Sequence, residues 1–403
     1  MTAAVGLAAP AGLDRRLLTV LSSNMLLDAI EVSVAIVALP AIARDLALGH
    51  AAVPWVVAGF ALGFGLMLVP GRWAVARWGE RPVYLAALAV FAVASAGGAA
   101  ASSEWLLIAS RVIKGGCAGL TAPTGLAIIG RAFPQGAPRN RALAVYSSFG
   151  SCGFTAGLVV SGLVTTAGWR WTFLIPAPVA FALLLYGARV IPRGGPAAHL
   201  GAPGHRTAAP LVAGGPHLLR SALGAATLNG SLWGLLIICT FRLQDQLGWT
   251  PIAAGLALLP VAVPAAATAP FAARLVARFG TARLIAAGAT LPLLGYLLIW
   301  GLADRPVRSP AEYAACLLPG LLLVGAGFAL CFSALHVQAL VGVDRAAQGG
   351  VTAVYQVAVQ FGGVLVLAAI SVLPVAGLAV VTMTGALGLL IAFAGLVTKD
   401  RTT

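Results

Sequence analysis

Charged residues are scarce in this chain of 403 residues. They make up 9% of the sequence, whereas hydrophobic residues make up 60%. Soluble globular proteins carry about 25% charged residues, so the composition excludes an ordinary soluble fold. Apolar runs of about twenty residues recur instead, and each is long enough to cross a hydrocarbon core of about 30 Å. The sequence therefore indicates an all-α membrane protein that crosses the bilayer many times.

The sequence also lacks the residue combinations that enzymes and metal centres use. No nucleophile is paired with a base, and the glycine-rich run at Gly115-Gly116 lies inside an apolar segment rather than in a phosphate-binding loop. The five cysteines have no metal-ligand spacing. His199, His205 and His217 have no cysteine or carboxylate nearby to complete a metal site. We expect no enzymatic activity, no metal and no cofactor.

The apolar runs predict twelve transmembrane helices. The expected spans are residues 17–41, 52–71, 83–102, 105–129, 143–165, 171–191, 218–240, 252–273, 283–302, 313–338, 349–374 and 376–397. The first span is longer than the core of a signal peptide and has no small-residue cleavage site after it, so we expect it to be retained.

One pentapeptide pattern occurs twice, 201 residues apart: Val75-Ala76-Arg77-Trp78-Gly79 and Val276-Ala277-Arg278-Phe279-Gly280. Each copy lies between two apolar runs, which predicts tandem duplication of a six-span unit. Parallel repeats of this kind occur in transporters whose halves rock about a central site. We expect an N-terminal six-helix half over residues 1–192, a cytoplasmic linker over 193–217, rich in glycine and proline, and a C-terminal six-helix half over 218–403.

The net charge of +14 is unevenly distributed among the loops. With the N-terminus in the cytoplasm, 18 Lys and Arg residues fall on the cytoplasmic side and five on the outer side. This asymmetry predicts that both termini are cytoplasmic. The charges are dispersed without interleaved aromatic residues, so we expect no nucleic acid partner. Only two lysines accompany 23 arginines, and alanine and glycine are abundant, which indicates a GC-rich bacterial genome and a bacterial inner membrane.

Four charged residues lie deep within predicted spans: Asp28 and Glu31 in the first, Arg111 and Lys114 in the fourth. The i,i+3 spacing puts each pair on one helix face. A rise of about 1.5 Å per residue places Glu31 level with Arg111, and Asp28 level with Lys114. Because an isolated charge in hydrocarbon is costly, the four should face a cavity or each other.

Such an arrangement can handle a proton. Desolvation favours the protonated form of a carboxylate and a nearby cation favours the ionised form, so movement of either changes the protonation. Glu31 is the first candidate for the proton carrier and Asp28 the second, with Arg111 and Lys114 as their partners. The alternative is a static ion pair that joins spans one and four without titrating.

Other polar residues within or at the ends of spans are candidates for the substrate path, since hydrogen-bonding groups that face lipid are unfavourable. They are Asn24, Ser147, Ser148, Asn229, His336, Gln356 and Gln360, together with Trp233, which lies well inside span seven. For each, the alternative is a tie between helices. Glycine pairs such as Gly153 and Gly157 predict close helix packing.

Several of these segments resemble the major facilitator superfamily, and within it the drug:proton antiporters. Glu31 followed nine positions later by Pro40, within Ala38-Leu39-Pro40, resembles the end of the family's first span. Arg77-Trp78-Gly79-Glu80-Arg81 resembles the basic loop after span two, and Arg111-Val-Ile-Lys-Gly115 the motif of span four. Gly153-Phe-Thr-Ala-Gly157, with Ser161-Gly162, is similar to the antiporter motif of span five.

The chain departs from the family pattern at two notable positions. Ala76 stands where the family has an acid that helps lock the two halves on the cytoplasmic side, and Leu158 replaces a proline of the antiporter motif. The resemblance otherwise implies the major facilitator fold. It also implies roles in gating and helix packing for a set of residues in the loops and in span five: Arg77, Gly79, Gly153, Gly157, Gly162, Arg278 and Gly280.

The function that the resemblance implies is secondary active transport. We expect export of a small amphipathic compound, a drug or natural product, in exchange for protons, with the proton gradient as the energy source. The expected partners are the lipid bilayer, the small-molecule substrate and protons, and we expect a monomer. Two alternatives stay open: a solute importer of the same fold, and a membrane sensor or scaffold that binds without transporting.

Overall fold

A computed structural model describes residues 11–193, 210–268, 271–303, 305, 309–373 and 376–399. Most of the predicted linker and both ends of the chain lie outside these residues. The secondary structure within them is helical. In chain order the helices are α1 (Ala11–Asp45), α2 (Val53–Trp78), α3 (Glu80–Ala99), α4 (Glu104–Ala132), α5 (Ala137–Thr165), α6 (Trp171–Leu174), α7 (Pro176–Val190), α8 (Pro210–Phe241), a π-helical turn (Arg242–Gln246), α9 (Pro251–Ala257), α10 (Leu259–Thr268), α11 (Ala272–Phe279), α12 (Thr281–Gly301), α13 (Pro310–Cys316), α14 (Leu318–Ala339), α15 (Arg345–Val372) and α16 (Gly377–Lys399).

Eleven helical segments of the described chain are long and apolar enough to cross a membrane. The predicted span over residues 252–273 is not among them: the described part of it forms the shorter helices α9, α10 and α11, and residues 269 and 270 lie outside the described residues. Pro260 follows the end of α9. It has no N–H to donate to the carbonyl four residues earlier, so the helical hydrogen-bond series is interrupted at that point.

The repeated pentapeptides adopt the same local structure. Gly79 ends α2 with φ 87° and ψ 164°, and Gly280 ends α11 with φ 76° and ψ 158°. The backbone N–H of Gly79 donates to the Val75 carbonyl, and that of Gly280 to the Val276 carbonyl. A positive φ is readily available only to glycine, which explains why glycine ends both copies.

Helix packing also recurs along the chain. α1 packs along α5 and α2 along α4, and later α8 packs along α15 and α10 along α14. In both parts of the chain a glycine allows the close approach: Gly115 of α4 lies against the carbonyl of Phe60 in α2, and Gly325 of α14 lies against the carbonyl of Val261 in α10. A tandem duplication produces such a recurrence, whereas the boundaries of the halves at 1–192 and 218–403 stay a prediction.

Candidate functional site

A fully buried ion cluster joins α1 to α4. Glu31 Oε2 lies 2.9 Å from Arg111 Nη1, and Glu31 Oε1 lies 2.7 Å from Lys114 Nζ. All three side chains have 0% of their surface exposed. One carboxylate therefore faces two cations, and the three residues together carry a charge of +1 when all are ionised.

Arg111 of α4 is held by contacts from two helices, α1 and α2. Besides its ion pair, it donates from Nε to the Val56 carbonyl of α2 at 3.0 Å and from Nη2 to the Glu31 carbonyl of α1 at 2.9 Å. Its guanidinium also lies 4.8 Å from the centre of the Phe60 ring. The close approach of α2 to α4 is possible because Gly115 of α4 has no side chain, and a Cβ there would collide with the Phe60 carbonyl of α2. These contacts replace the hydration that a buried guanidinium loses.

Lys114 is enclosed by aromatic rings as well as by its anion. Its Nζ lies 5.1 Å from the ring centre of Phe91 in α3 and 5.0 Å from that of Phe173 in α6. A cation over an aromatic ring is stabilised by the negative ring face, most of all where water is excluded. The rings therefore account for a second buried cation beside a single carboxylate.

Asp28 has neutral partners. Its Oδ2 accepts from Asn24 Nδ2 at 3.0 Å and from Thr121 Oγ1 at 2.8 Å. The predicted pairing of Asp28 with Lys114 is wrong, because Lys114 pairs with Glu31. Cα–Cβ bonds tilt toward the N-terminus of their helix, so in this antiparallel pair Lys114 leans toward Glu31 and Asp28 leans away from Lys114. The backbone rise alone therefore does not decide which charges pair.

Thr121 was not singled out from the sequence. Its spacing carried a signal, since it follows Lys114 by seven residues and therefore lies on the same face of α4. A threonine in an apolar helix more often satisfies its hydroxyl on its own backbone. Here the hydroxyl makes two contacts: one of 3.4 Å to the Ala118 carbonyl of its own helix, and a shorter one of 2.8 Å to Asp28 Oδ2.

The span-five glycines fix α1 against α5. A Cβ on Gly153 would lie 2.7 Å from the Leu26 carbonyl oxygen, and one on Gly157 would lie 2.9 Å from that of Ile30. Ser161 Oγ adds a hydrogen bond of 2.5 Å to the Val34 carbonyl. Because α1 carries both carboxylates, this packing couples the position of α5 to the ion cluster.

The early helices (α1–α7) and the late helices (α8–α16) pack together along α2 and α15, and they also meet at one end of the molecule, near the C-termini of α1 and α5. Arg44 Nη1 lies 2.9 Å from Asp245 Oδ1, and Gln244 Nε2 donates to the Val37 carbonyl at 2.9 Å. Gly162 packs against the backbone of Ile252 in α9. We call this set of contacts the closed end.

One face of α5 is packed at the closed end and becomes accessible toward the N-terminus of the helix. Leu158 on this face lies against Gly255 of α9. Ser151 and Ser147, two and three helical turns earlier on the same face, are half-buried and exposed respectively. Ser148, also exposed, donates its hydroxyl to the Ala144 carbonyl. We call the accessible stretch with Ser147 and Ser151 the cleft along α5.

Three predicted path residues are buried and serve as ties or core. Asn24 donates to Asp28, and Asn229 Nδ2 donates to the Val359 carbonyl of α15 at 3.0 Å. Trp233 is 4% exposed and packs against Gly363 of α15.

The remaining predicted residues are partly accessible. His336 lies edge-on to Tyr355, with ring centres 5.2 Å apart, and is half-buried, as are Gln356 and Gln360 of α15. Arg77 and Arg278 are exposed next to Trp73 and Phe279.

The interior of the late helices is built differently. Tyr296 Oη donates to Ser231 Oγ at 2.9 Å, and Ser231 in turn donates to the Thr227 carbonyl at 2.7 Å. These groups line a small cavity between α8, α12, α14 and α16. These polar groups inside the late helices are thus neutral hydroxyls on α8 and α12, whereas the ion cluster inside the early helices consists of charged groups on α1 and α4.

The sequence profile of the Major Facilitator Superfamily matches residues 21–367. The chain belongs to this family. Membership confirms the predicted fold and a transporter rather than an enzyme, and with the eleven apolar helices it places the protein in a membrane as a multi-span transporter.

Curated relatives include several antibiotic resistance and export proteins. The puromycin resistance protein pur8 of Streptomyces alboniger is 29% identical over 86% of this chain and 79% of its own length. The multidrug resistance protein Stp of Mycobacterium tuberculosis is 27% identical over 83% of this chain and 71% of its own. The cephamycin export protein CmcT of Amycolatopsis lactamdurans is 36% identical over 40% of this chain and 33% of its own.

Solved structures share the fold. A D-xylose–proton symporter superposes with a TM-score of 0.77 at 17% identity, covering 94% of this chain and 96% of the symporter. A bacterial homologue of the lysosomal transporter Spinster, in an inward-facing and unoccupied conformation, gives a TM-score of 0.70 at 16% identity and covers 95% of this chain and 98% of the homologue.

Proposed function

We propose that this protein exports a small amphipathic compound in exchange for protons. The observation that carries the proposal is the buried cluster of Glu31, Arg111 and Lys114 with Asp28 beside it. Ionisable groups inside a membrane are costly, and they mark proton and ion pathways in transporters. The relatives named for resistance to puromycin and for cephamycin export support outward transport of compounds of this kind.

The cluster is placed where a rocking movement would reach it. α1 carries both carboxylates, packs on α5 along its length, and contacts the late helices at Val37 and Arg44. Opening of the closed end would therefore move α1 relative to the late helices and change the surroundings of the carboxylates. Protonation and substrate binding can then favour different conformations, which is the requirement for coupling.

We further propose the orientation in the membrane. Both termini and the linker at 193–217 are cytoplasmic, in a bacterial inner membrane, because the arginine-rich loops follow the positive-inside rule. The closed end is then periplasmic and the cleft lined by Ser147 and Ser151 faces the cytoplasm. An exporter in this conformation receives its substrate from the cytoplasm.

Import by the same fold is the competing function. A solved structure of similar fold is titled a D-xylose–proton symporter, although the identity of 17% supports only the fold. Importer and exporter differ in the direction in which a proton gradient drives the substrate.

Transport into everted membrane vesicles tests the proposal. Vesicles that contain the protein, energised by respiration, should accumulate labelled puromycin or a labelled cephamycin. Nigericin, which collapses the pH gradient, should abolish the accumulation. Vesicles from the same strain without the protein are the control. Accumulation that survives nigericin, accumulation only in right-side-out vesicles, or no accumulation of either compound would contradict the proposal.

A further inference from the structure

We infer that the coupling proton binds to Asp28, and that Glu31 stays ionised as the fixed counter-ion of Arg111 and Lys114. This inference rests on the proposed proton-coupled export and assigns the proton to one carboxylate of the site. It differs from the order of preference that the sequence motif suggests, in which Glu31 is the carrier.

Glu31 is committed to two cations. Each carboxylate oxygen lies within 2.9 Å of a different cationic nitrogen, and none of the three side chains reaches the surface. A proton on Glu31 would leave Arg111 and Lys114 buried without an anion in contact. Removing one partner of a buried ion pair is strongly unfavourable, and here two pairs share that partner.

Asp28 can accommodate either protonation state. The structure gives Asp28 no ion pair among the described residues, and its two hydrogen bonds come from the neutral donors Asn24 and Thr121. Both go to Oδ2, so Oδ1 takes no part in them. A proton on Oδ1 therefore breaks neither bond, and its loss uncovers no unpaired cation.

Comparing the two states that contain one proton decides between the carboxylates. With the proton on Asp28, the remaining negative charge is on Glu31, in contact with both cations. With the proton on Glu31, the negative charge is on Asp28, next to neutral groups, and the two cations repel each other without an anion between them. The net charge is +1 in both states, so the position of the anion alone separates them, and it favours Asp28 as the protonated residue.

Among the described residues near Asp28, Glu31 is the other carboxylate that competes for the proton. The titratable and polar groups nearest to Asp28 come from its own helix and from α3, α4 and α5: Asn24, Glu31, Tyr84, Cys117, Thr121 and Tyr146. Lys114 is paired with Glu31. The Tyr146 hydroxyl donates to the Ala122 carbonyl at 3.0 Å. Near neutral pH these tyrosine and cysteine side chains are neutral, so they do not exchange the proton.

Asp28 is also better placed for access. It is 5% exposed, whereas Glu31 is 0% exposed. It lies about one helical turn nearer to the N-terminus of α1, which is the end toward which the cleft along α5 opens. A movement of α1 against α5, which already touch at Met25 and Gly150, would expose Asp28 before Glu31.

Two assays on purified protein in proteoliposomes separate the roles. Asp28→Asn should reduce puromycin transport driven by an imposed pH gradient at least about tenfold. Exchange of labelled for unlabelled puromycin, which needs no net proton movement, should stay within about twofold of the wild type. Glu31→Gln should instead lower the amount of folded protein and its thermal stability. Gradient-driven transport per folded molecule should fall less in Glu31→Gln than in Asp28→Asn.

The outcomes are distinguishable. Gradient-driven transport by both the wild type and Asp28→Asn would overturn this inference but not the proposed function. The same holds for a stable Glu31→Gln protein that exchanges substrate but shows no transport driven by the pH gradient. A wild type without gradient-driven transport would overturn the proposed function as well. Should Asp28→Asn not fold, Asp28→Glu keeps the carboxylate and should transport with a displaced pH profile, and an unchanged profile would count against Asp28.

Discussion

Gly162 of α5 packs directly against Ile252 of α9. A Cβ on Gly162 would lie 2.7 Å from the Ile252 Cα and 2.8 Å from the Pro251 carbonyl oxygen. Both of the atoms in the way belong to the backbone and cannot rotate aside, so only glycine allows α5 and α9 to meet at this distance. The closed end therefore depends on this residue.

Substitution of Gly162 should open the closed end. We expect Gly162→Val to force α5 away from α9 and to reduce puromycin transport at least about tenfold, while the folded protein remains in the membrane. Gly97→Val in α3 is the matched control, because a Cβ there meets nothing within 4 Å. Transport by Gly162→Val equal to that of Gly97→Val would show that the contact is not needed.

Removal of Arg111 should destabilise the fold. Arg111→Ala deletes an ion pair and two hydrogen bonds to carbonyls and leaves a buried carboxylate with one cation. The loss expected for a broken buried pair is about 3–5 kcal/mol. Thermal unfolding followed by size-exclusion chromatography measures it. Arg77→Ala, which removes an exposed arginine, should unfold at the wild-type temperature. Equal unfolding temperatures for the two variants would argue against the cluster as a structural element.

The cleft along α5 should be open to water from one side. Ser151→Cys, in a Cys152→Ser background because Cys152 is itself exposed, should react with a membrane-impermeant maleimide in everted vesicles. Puromycin should slow the reaction if Ser151 lines its path. Ser161→Cys should stay unlabelled, since Ser161 is buried against α1. Labelling of Ser151→Cys only in right-side-out vesicles would reverse the proposed orientation of the cleft.

The distribution of arginine predicts the orientation of the whole chain. Alkaline phosphatase fused after Gly201 or Thr403 should be inactive, and green fluorescent protein fused at the same positions should fluoresce, because both sites are expected in the cytoplasm. A fusion near Trp249, between the π-helical turn and α9, should give the opposite pattern. Active phosphatase at Gly201 would contradict the assignment.

The sequence predicted the fold through features that depend on local physics. Apolar length located the membrane helices, and the glycine that ends each repeat appears in the structure with positive φ at both Gly79 and Gly280. The pairing of Glu31 with Arg111 also followed from spacing and depth. These predictions need only the geometry of a helix and the thickness of a bilayer.

The rest of the site depends on how side chains lean and how helices are rotated. Lys114 pairs with Glu31 rather than Asp28 because side chains tilt toward the helix N-terminus. Asn229 and Trp233 are polar or aromatic within a span, yet they face α15 instead of the cleft. The rotation of α8 about its axis determines which side chains face α15. This rotation is set by packing against α15 and α16, and the sequence of α8 alone does not predict it.

Exchange of substrate for protons requires protons to move whenever the substrate moves, so we would measure proton movement driven by the substrate. Proteoliposomes that contain the purified protein and a pH-sensitive dye would be loaded with puromycin at equal pH inside and outside, then diluted into puromycin-free buffer. As puromycin leaves, protons should move in the opposite direction and acidify the lumen, and Asp28→Asn should abolish this signal. Puromycin efflux by the wild type without any pH change, or with an alkaline change, would contradict exchange of substrate for protons.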